Sequence, residues 1–162
     1  MFKKPAILTV TVVALLTGAA LTAARLSAAP SAPLLTLPRA APAGQMTLFG
    51  HIRSLTHQGK HFVMRFDPAL WLTGVTAQRA AGTTDVPNDY YILDESHRLL
   101  TYIVPASAKV TILTRGTNTT PITVTRLAHR VAGGATKGQG FWILIGNKYP
   151  SPVLSLDQQY QP

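Results

Sequence analysis

The chain has 162 residues, with fifteen Lys and Arg against six Asp and Glu, a formal net charge of +9 and no cysteine. Charged residues make up 13% of it, against roughly 25% in ordinary globular chains. A disulfide framework, a thiolate metal centre, a cysteine nucleophile and a lipid-modified cysteine are therefore excluded. Glu95 is the sole glutamate, so carboxylate chemistry has few residues to draw on. The length fits one domain with a tail.

Lys3 and Lys4 open the chain, and residues 6–24 then run without a charge through Ile7, Leu8, Val10, Val12, Val13, Leu15, Leu16 and Leu21. A positive start, an apolar stretch and the small residues Thr22, Ala23 and Ala24 predict a secretory signal over residues 1–24. Cleavage falls after Ala24 or nearer Ala28 and Ala29. The alternative is an uncleaved N-terminal membrane anchor, for which the stretch sits at the lower edge of the roughly 17–25 residues a span needs. Losing residues 1–24 removes two of the fifteen bases. The exported product therefore stays basic and attracts anionic polymers or headgroups.

Residues 25–45 hold Pro30, Pro33, Pro38 and Pro42 among Ala, Ser and Leu. Proline denies a helix its hydrogen bonds and bars a central strand, so this stretch reads as an extended linker.

A β-rich domain is expected over residues 46–162. Met46, Leu48 and Ile52 alternate with His51 and Arg53, residues 56–60 form a turn, and Phe62, Met64 and Phe66 share one face. That is a hairpin. Asp67-Pro68-Ala69 is expected to end its second strand. A short helix should run from Thr73 to Gly82, with residues 83–88 as a loop. Residues 90–93, 99–104 and 109–114 read as three strands rich in β-branched and aromatic side chains, joined by turns at 94–98 and 105–108. Residues 115–121 look like a polar loop. Thr123 caps a helix with Val124, Leu127, Ala128 and Val131 at i, i+3, i+4 and i+7, ending at Gly133. After a Gly-rich loop, Phe141–Ile145 is the most hydrophobic strand and should be central, with 153–157 beside it. The expected class is mainly β (α+β): a small six- or seven-stranded antiparallel barrel with two short helices, OB-like in its order of hairpin, strands, helix and final hairpin. Closure would leave no free edge.

Four of the six acids lie between Asp85 and Glu95. Asp89, Asp94, Glu95 and His97 are the candidates for acid/base chemistry, and oxygen-rich loops also suit hard cations. The alternating Asp/Asn pattern of a calcium loop is missing, however, and turn chemistry explains most of the stretch. His57 and His61 stand four apart beside a hairpin turn without the glutamate of a zinc helix, so no metal is expected. Ser96-His97 beside Asp94 lacks the separated segments of a triad, and no Gly-x-Ser-x-Gly elbow exists. In the stretch from Gly133 to Gly140, Lys137 precedes the glycine it should follow in a phosphate loop. Trp71, Tyr90, Tyr91, Tyr102, Phe141 and Trp142 offer a stacking platform on one reading and core packing on the other. Tyr90, Tyr91, Arg126 and Arg130 are the candidate binding residues.

Three stretches carry a resemblance: Phe66-Asp-Pro-Ala-Leu-Trp-Leu-Thr-Gly-Val-Thr-Ala77, Val86-Pro-Asn-Asp-Tyr-Tyr-Ile92, and Leu156-Asp-Gln-Gln-Tyr160 with Pro162. Together they resemble a group of small exported bacterial proteins of unassigned function. This chain departs from the group near residues 82–85, where it has Gly-Thr-Thr-Asp in place of a longer acidic insert. The resemblance implies export and assigns no catalytic residue.

The expected function is an exported, non-enzymatic binding module at the cell surface, with an anionic wall polymer or another surface protein as partner. Alternatives are a secreted hydrolase using the cluster at residues 89–97, and a structural or assembly protein with Tyr90 and Tyr91 at an interface. No cofactor and no nucleic acid is expected, and a membrane only through the N-terminal segment.

Overall fold

The structure, a computed structural model, describes residues 41–95, 98–147 and 151–161. The expected signal and most of the expected linker lie outside these residues. The end of that linker makes a turn, in which the Gln45 N–H donates to the Pro42 carbonyl at 2.9 Å.

Among the described residues, eight strands and two α-helices follow, more strands than the six or seven expected. They are β1 (Met46–Gln58), β2 (His61–Thr73), α1 (Gly74–Ala81), β3 (Tyr90–Leu93), β4 (Leu100–Pro105), β5 (Lys109–Leu113), β6 (Thr119–Ile122), α2 (Val124–Ala132), β7 (Gly140–Ile145) and β8 (Val153–Gln158). The domain is mainly β, and the strands form one mixed sheet in the order β3-β2-β1-β7-β8-β5-β6, with β4 also on β2. Every pairing is antiparallel except β5 with β8, which is parallel. That parallel pair corrects the all-antiparallel expectation. Among the described residues the hydrogen-bonded ladder does not run full circle, because β4 and β5 follow one another in the chain without pairing.

The hairpin forms as its alternation dictates, but β2 runs on through Asp67-Pro68 to Thr73. Proline fits there because Pro68 falls between the part of β2 paired with β4, which ends at Phe66, and the part paired with β3, which starts at Leu70; on the other side it lies opposite Gly50 of β1. A Cβ on Gly50 would collide with the Asp67 carbonyl oxygen and the Phe66 ring, so glycine is what lets the two backbones close in at this point. The strand pairing shifts between Ile52 and Ser54, leaving Arg53 as the extra residue of a β-bulge. The bulge keeps Ile52 and Leu55, three residues apart, both in the core.

Strand β3 does not pair with β4. Both lie along β2, β3 on Leu70–Thr73 and β4 on His61–Phe66. The expected loop at 115–121 is in part a strand, with β6 pairing onto β5 from Thr119. Helix α2 starts where expected, with the Thr123 hydroxyl accepting from the Arg126 N–H at 3.2 Å. Thr73 occupies the corresponding position before α1 without a side-chain cap.

Phe62, Met64, Phe66, Val104, Leu127, Phe141, Ile143 and Leu156 make the centre of the core, under α2. Strand β7 sits between β1 and β8, as its hydrophobicity implies. Neither helix is long and apolar enough to cross a membrane, nor is any other among the described residues.

Candidate functional site

Phe49, His51 and Arg53 alternate with the core residues of β1, so they occupy the other face of the sheet. Phe49 is nonetheless 3% exposed, because a second aromatic cluster covers it. Its ring meets Trp71 edge-on at 5.1 Å and Trp142 at 5.0 Å, and Trp71 stacks on Tyr90 at 4.1 Å with 11° between planes. A Cβ on Gly140 would strike the Phe49 ring, so a side chain there would push the cluster off the sheet.

The C-terminal segment locks this cluster with glutamine side chains. The Trp142 indole donates to Gln159 Oε1 at 2.9 Å, the Gly140 N–H to Gln161 Oε1 at 3.1 Å, and the Leu113 N–H to Gln158 Oε1 at 3.0 Å. The three stretches that carried the resemblance therefore meet. Trp71 belongs to the first, Tyr90 to the second and Gln159 to the third. Burial first, and Tyr160 second, push the Tyr90 hydroxyl above its ordinary range. Because the aromatic faces are spent on one another, Trp71 and Tyr90 do not form an open stacking platform, and Phe141 belongs to the core. Tyr102 packs edge-on against Phe66.

Beside the cluster lies a cleft of about 220 Å³, lined by His51, Ile52, Arg53, Val131, Gly134, Thr136, Lys137 and Gly138. It runs between β1 and the loop that leaves α2. Asp67 lies across the strands from His51 and is 2% exposed. Arg53 neutralises it, with Nε at 2.8 Å and Nη2 at 2.5 Å, both on Oδ2. The bulge at Arg53 gives the guanidinium its reach back along the strand. Within the cleft, Lys137 is the cation with no carboxylate beside it among the described residues.

His51 is held from both sides. Gln139 O, which can only accept, lies 3.1 Å from Nδ1, so Nδ1 carries a proton. Nε2 faces Asp94 Oδ2 at 4.0 Å. A base in a catalytic triad keeps one nitrogen for the carboxylate and the other for the nucleophile. Here the second nitrogen is taken by a backbone carbonyl.

The predicted acids do not converge. Asp89 is exposed in a turn where Asn88 and Asp89 adopt φ of 58° and 57°, a left-handed conformation these two residue types tolerate. Glu95 is exposed and Asp94 is half-buried. Among the described residues no hydrogen bond or ion pair joins Asp89, Asp94 and Glu95 to one another. His97 lies outside the described residues. Tyr91 is half-buried opposite Leu72. On α2, Arg126 is exposed, and Arg130 is half-buried with its Nε–H lacking a partner among the described residues. No three His, Asp or Glu side chains gather closely enough to hold a metal ion among the described residues.

Sequence reasoning missed His51, Arg53 and Asp67 as a group. One signal was available: the apolar spacing from Ile52 to Leu55 breaks the period of two and marks the bulge. No protein-family model, curated protein or solved structure matches the chain.

Proposed function

We propose that the chain is an exported, cell-surface module that binds an anionic polymer without transforming it, and that its domain is a partly open OB-like barrel. Support for the barrel comes from the path of the strands. β1 pairs with β2 and β7, β2 with β4, β7 with β8, and β8 in parallel with β5. β4 and β5 are separated only by residues 106–108, so together they act as one bent strand bridging both ends of the ladder. A helix then leads to the last two strands, as in that fold.

The observation that carries the binding reading is the segregation of charge. Fourteen of the fifteen Lys and Arg lie outside residues 70–95, whereas four of the six acids lie within them. Of the two remaining acids, Asp67 is consumed by Arg53 and Asp157 accepts from the Ser155 hydroxyl at 3.0 Å. The barrel therefore presents Arg126, His129 and Arg130 on α2, Lys137 at the cleft, and Lys60 and Arg65 on the hairpin, with little to cancel them. Such a surface attracts phosphate- or carboxylate-bearing chains over distances of a Debye length, about 10 Å at 0.1 M salt.

The test is retention of the full chain on immobilised polyphosphate. Retention at low salt that falls as salt rises, and that weakens in an Arg126→Glu/Lys137→Glu double variant, is the expected result. Indifference to every anionic polymer refutes the reading. A hydrolase built on Asp94 has the His51 contact in its favour, and Asp94→Asn separates the two: it leaves polymer retention unchanged, whereas a hydrolase would lose turnover.

A further inference from the structure

The cleft between β1 and the loop leaving α2 holds more hydrogen-bond donors than the fold uses. Arg53, Thr136 and Lys137 line it, and no Asp or Glu does. Arg53 commits one edge of its guanidinium, Nε with Nη2, to Asp67 Oδ2. Its other edge, Nη1 with the second Nη2 hydrogen, has no partner among the described residues, and such an edge can grip two oxygens of one anion. His51 is occupied on both sides, by Gln139 O and Asp94, and serves as a wall. The loop supplies further donors. Its two turns are closed by the Lys137 N–H on Gly134 O at 3.1 Å and the Gln139 N–H on Thr136 O at 3.0 Å. They leave the Gly138 N–H without a partner among the described residues. At Gly138, with φ of 75°, no heavy atom lies within 4 Å of where a Cβ would stand, so a ligand can approach the backbone closely. Thr136 is the residue that points to a ligand. It is 5% exposed, and its hydroxyl makes no hydrogen bond among the described residues, although buried hydroxyls are normally paired. The oxygen is nonetheless not sealed off, and the cleft is what Thr136 borders.

We infer that this cleft is a subsite for a single phosphate group, with Lys137 and the open edge of Arg53 supplying charge and the Thr136 hydroxyl and Gly138 N–H supplying directed hydrogen bonds. Size limits the occupant: about 220 Å³ lies below the roughly 300–1,000 Å³ of pockets for drug-sized ligands, so one compact group fits and a run of polymer does not. Donor geometry selects phosphate over carboxylate. The two oxygens of a carboxylate are satisfied by the Arg53 edge alone, whereas the additional oxygens of a tetrahedral phosphate also use the donors on the loop opposite. Asp67 holds the guanidinium in place before any ligand arrives, which lowers the ordering cost of binding. The inference rests on the polymer-binding reading only for the source of the group, which is either a phosphate carried by the polymer or free inorganic phosphate.

The test titrates inorganic phosphate into the full chain at constant ionic strength and follows backbone amides by heteronuclear NMR. Saturable shifts centred on Thr136, Lys137 and Gly138 are expected. Lys137→Gln, at an exposed position, should weaken the affinity about tenfold, and Thr136→Val, which keeps the shape and removes the hydroxyl, about threefold or more. Arg79→Gln on α1 should leave it unchanged, and the spectra themselves show that each variant is folded. Polyphosphate then identifies the source: moving the same amides in competition with inorganic phosphate assigns the group to a polymer, and leaving them unmoved assigns it to free phosphate. Three results would overturn the inference: no saturable shift in the loop, wild-type affinity in both Lys137→Gln and Thr136→Val, or acetate moving the same amides as readily as phosphate. Polyphosphate retention without a phosphate response in the loop sinks the subsite and spares the polymer-binding reading. A phosphate response without retention does the reverse.

Discussion

The sheet around the main core and the short ribbon formed by β3 with the end of β2 are built by opposite rules. In the main sheet, apolar side chains from six strands and α2 meet in one core, and the residues outside 70–95 carry fourteen of the fifteen Lys and Arg. In the ribbon, the end of β2, β3 and α1 pack on one another and are anchored by the Trp71–Tyr90 stack, in a stretch that holds four of the six acids. The lesson is that one long strand can belong to two environments. β2 is a core strand up to Phe66 and a support for an appendage beyond Pro68, and Gly50 opposite Pro68 marks the changeover.

If that division is right, damage should stay on its own side. The largest effect belongs to the core. Phe141→Ala, at a side chain with 0% exposure, should cost about 3–5 kcal/mol in urea unfolding and destabilise everything at once. A loss under about 1 kcal/mol would mean that the core lies elsewhere. Next comes the seam. Arg53→Ala leaves the Asp67 carboxylate buried without its cation and should cost about 2–3 kcal/mol, at or below the low end for a broken buried pair because Arg53 itself is half-exposed. Adding Asp67→Asn should restore part of that loss, which a purely steric role for Arg53 would not allow.

On the ribbon, Trp71→Ala should cost about 2 kcal/mol, below the range for a fully buried aromatic. Hydrogen exchange should rise in α1 and β3 while amides of β7 and β8 stay protected. Equal loss of protection in both regions would erase the division. The smallest effect is alkaline. Burial and Tyr160 raise the Tyr90 pKa above its ordinary value of 10.0, so the folded chain holds that proton more tightly than the unfolded one. The resulting stability is complete below about pH 10 and is lost as pH rises through the folded value. Tyr90→Phe should flatten part of the fall in Tm above about pH 10, leaving the share owed to Tyr102, which burial also raises. An unchanged alkaline slope would remove Tyr90 from the anchor.

Local periodicity made the hairpin, α2 and the central strand legible, because each carries its own pattern of two or of three and four. The continuation of β2 was hidden, since Pro68 reads as a terminator unless the gap between β4 and β3 along β2 is known. β6 was hidden because Thr-Thr-Pro-Ile has the composition of a loop and becomes a strand only through β5. The candidate acids were legible as a cluster in sequence but separate in space: Asp89 is exposed in a left-handed turn, while Asp94, just past the end of β3, faces His51 of β1. Long-range pairing decided that, and no local pattern encodes it.

The most direct test of the account is a hydrogen-exchange footprint of polyphosphate on the full chain at low salt. Protection is expected over α2, the loop around Lys137 and the β1–β2 hairpin around Lys60, with Leu70–Glu95 unchanged. Protection centred on Leu70–Glu95, or a footprint that persists undiminished as salt is raised, would contradict it.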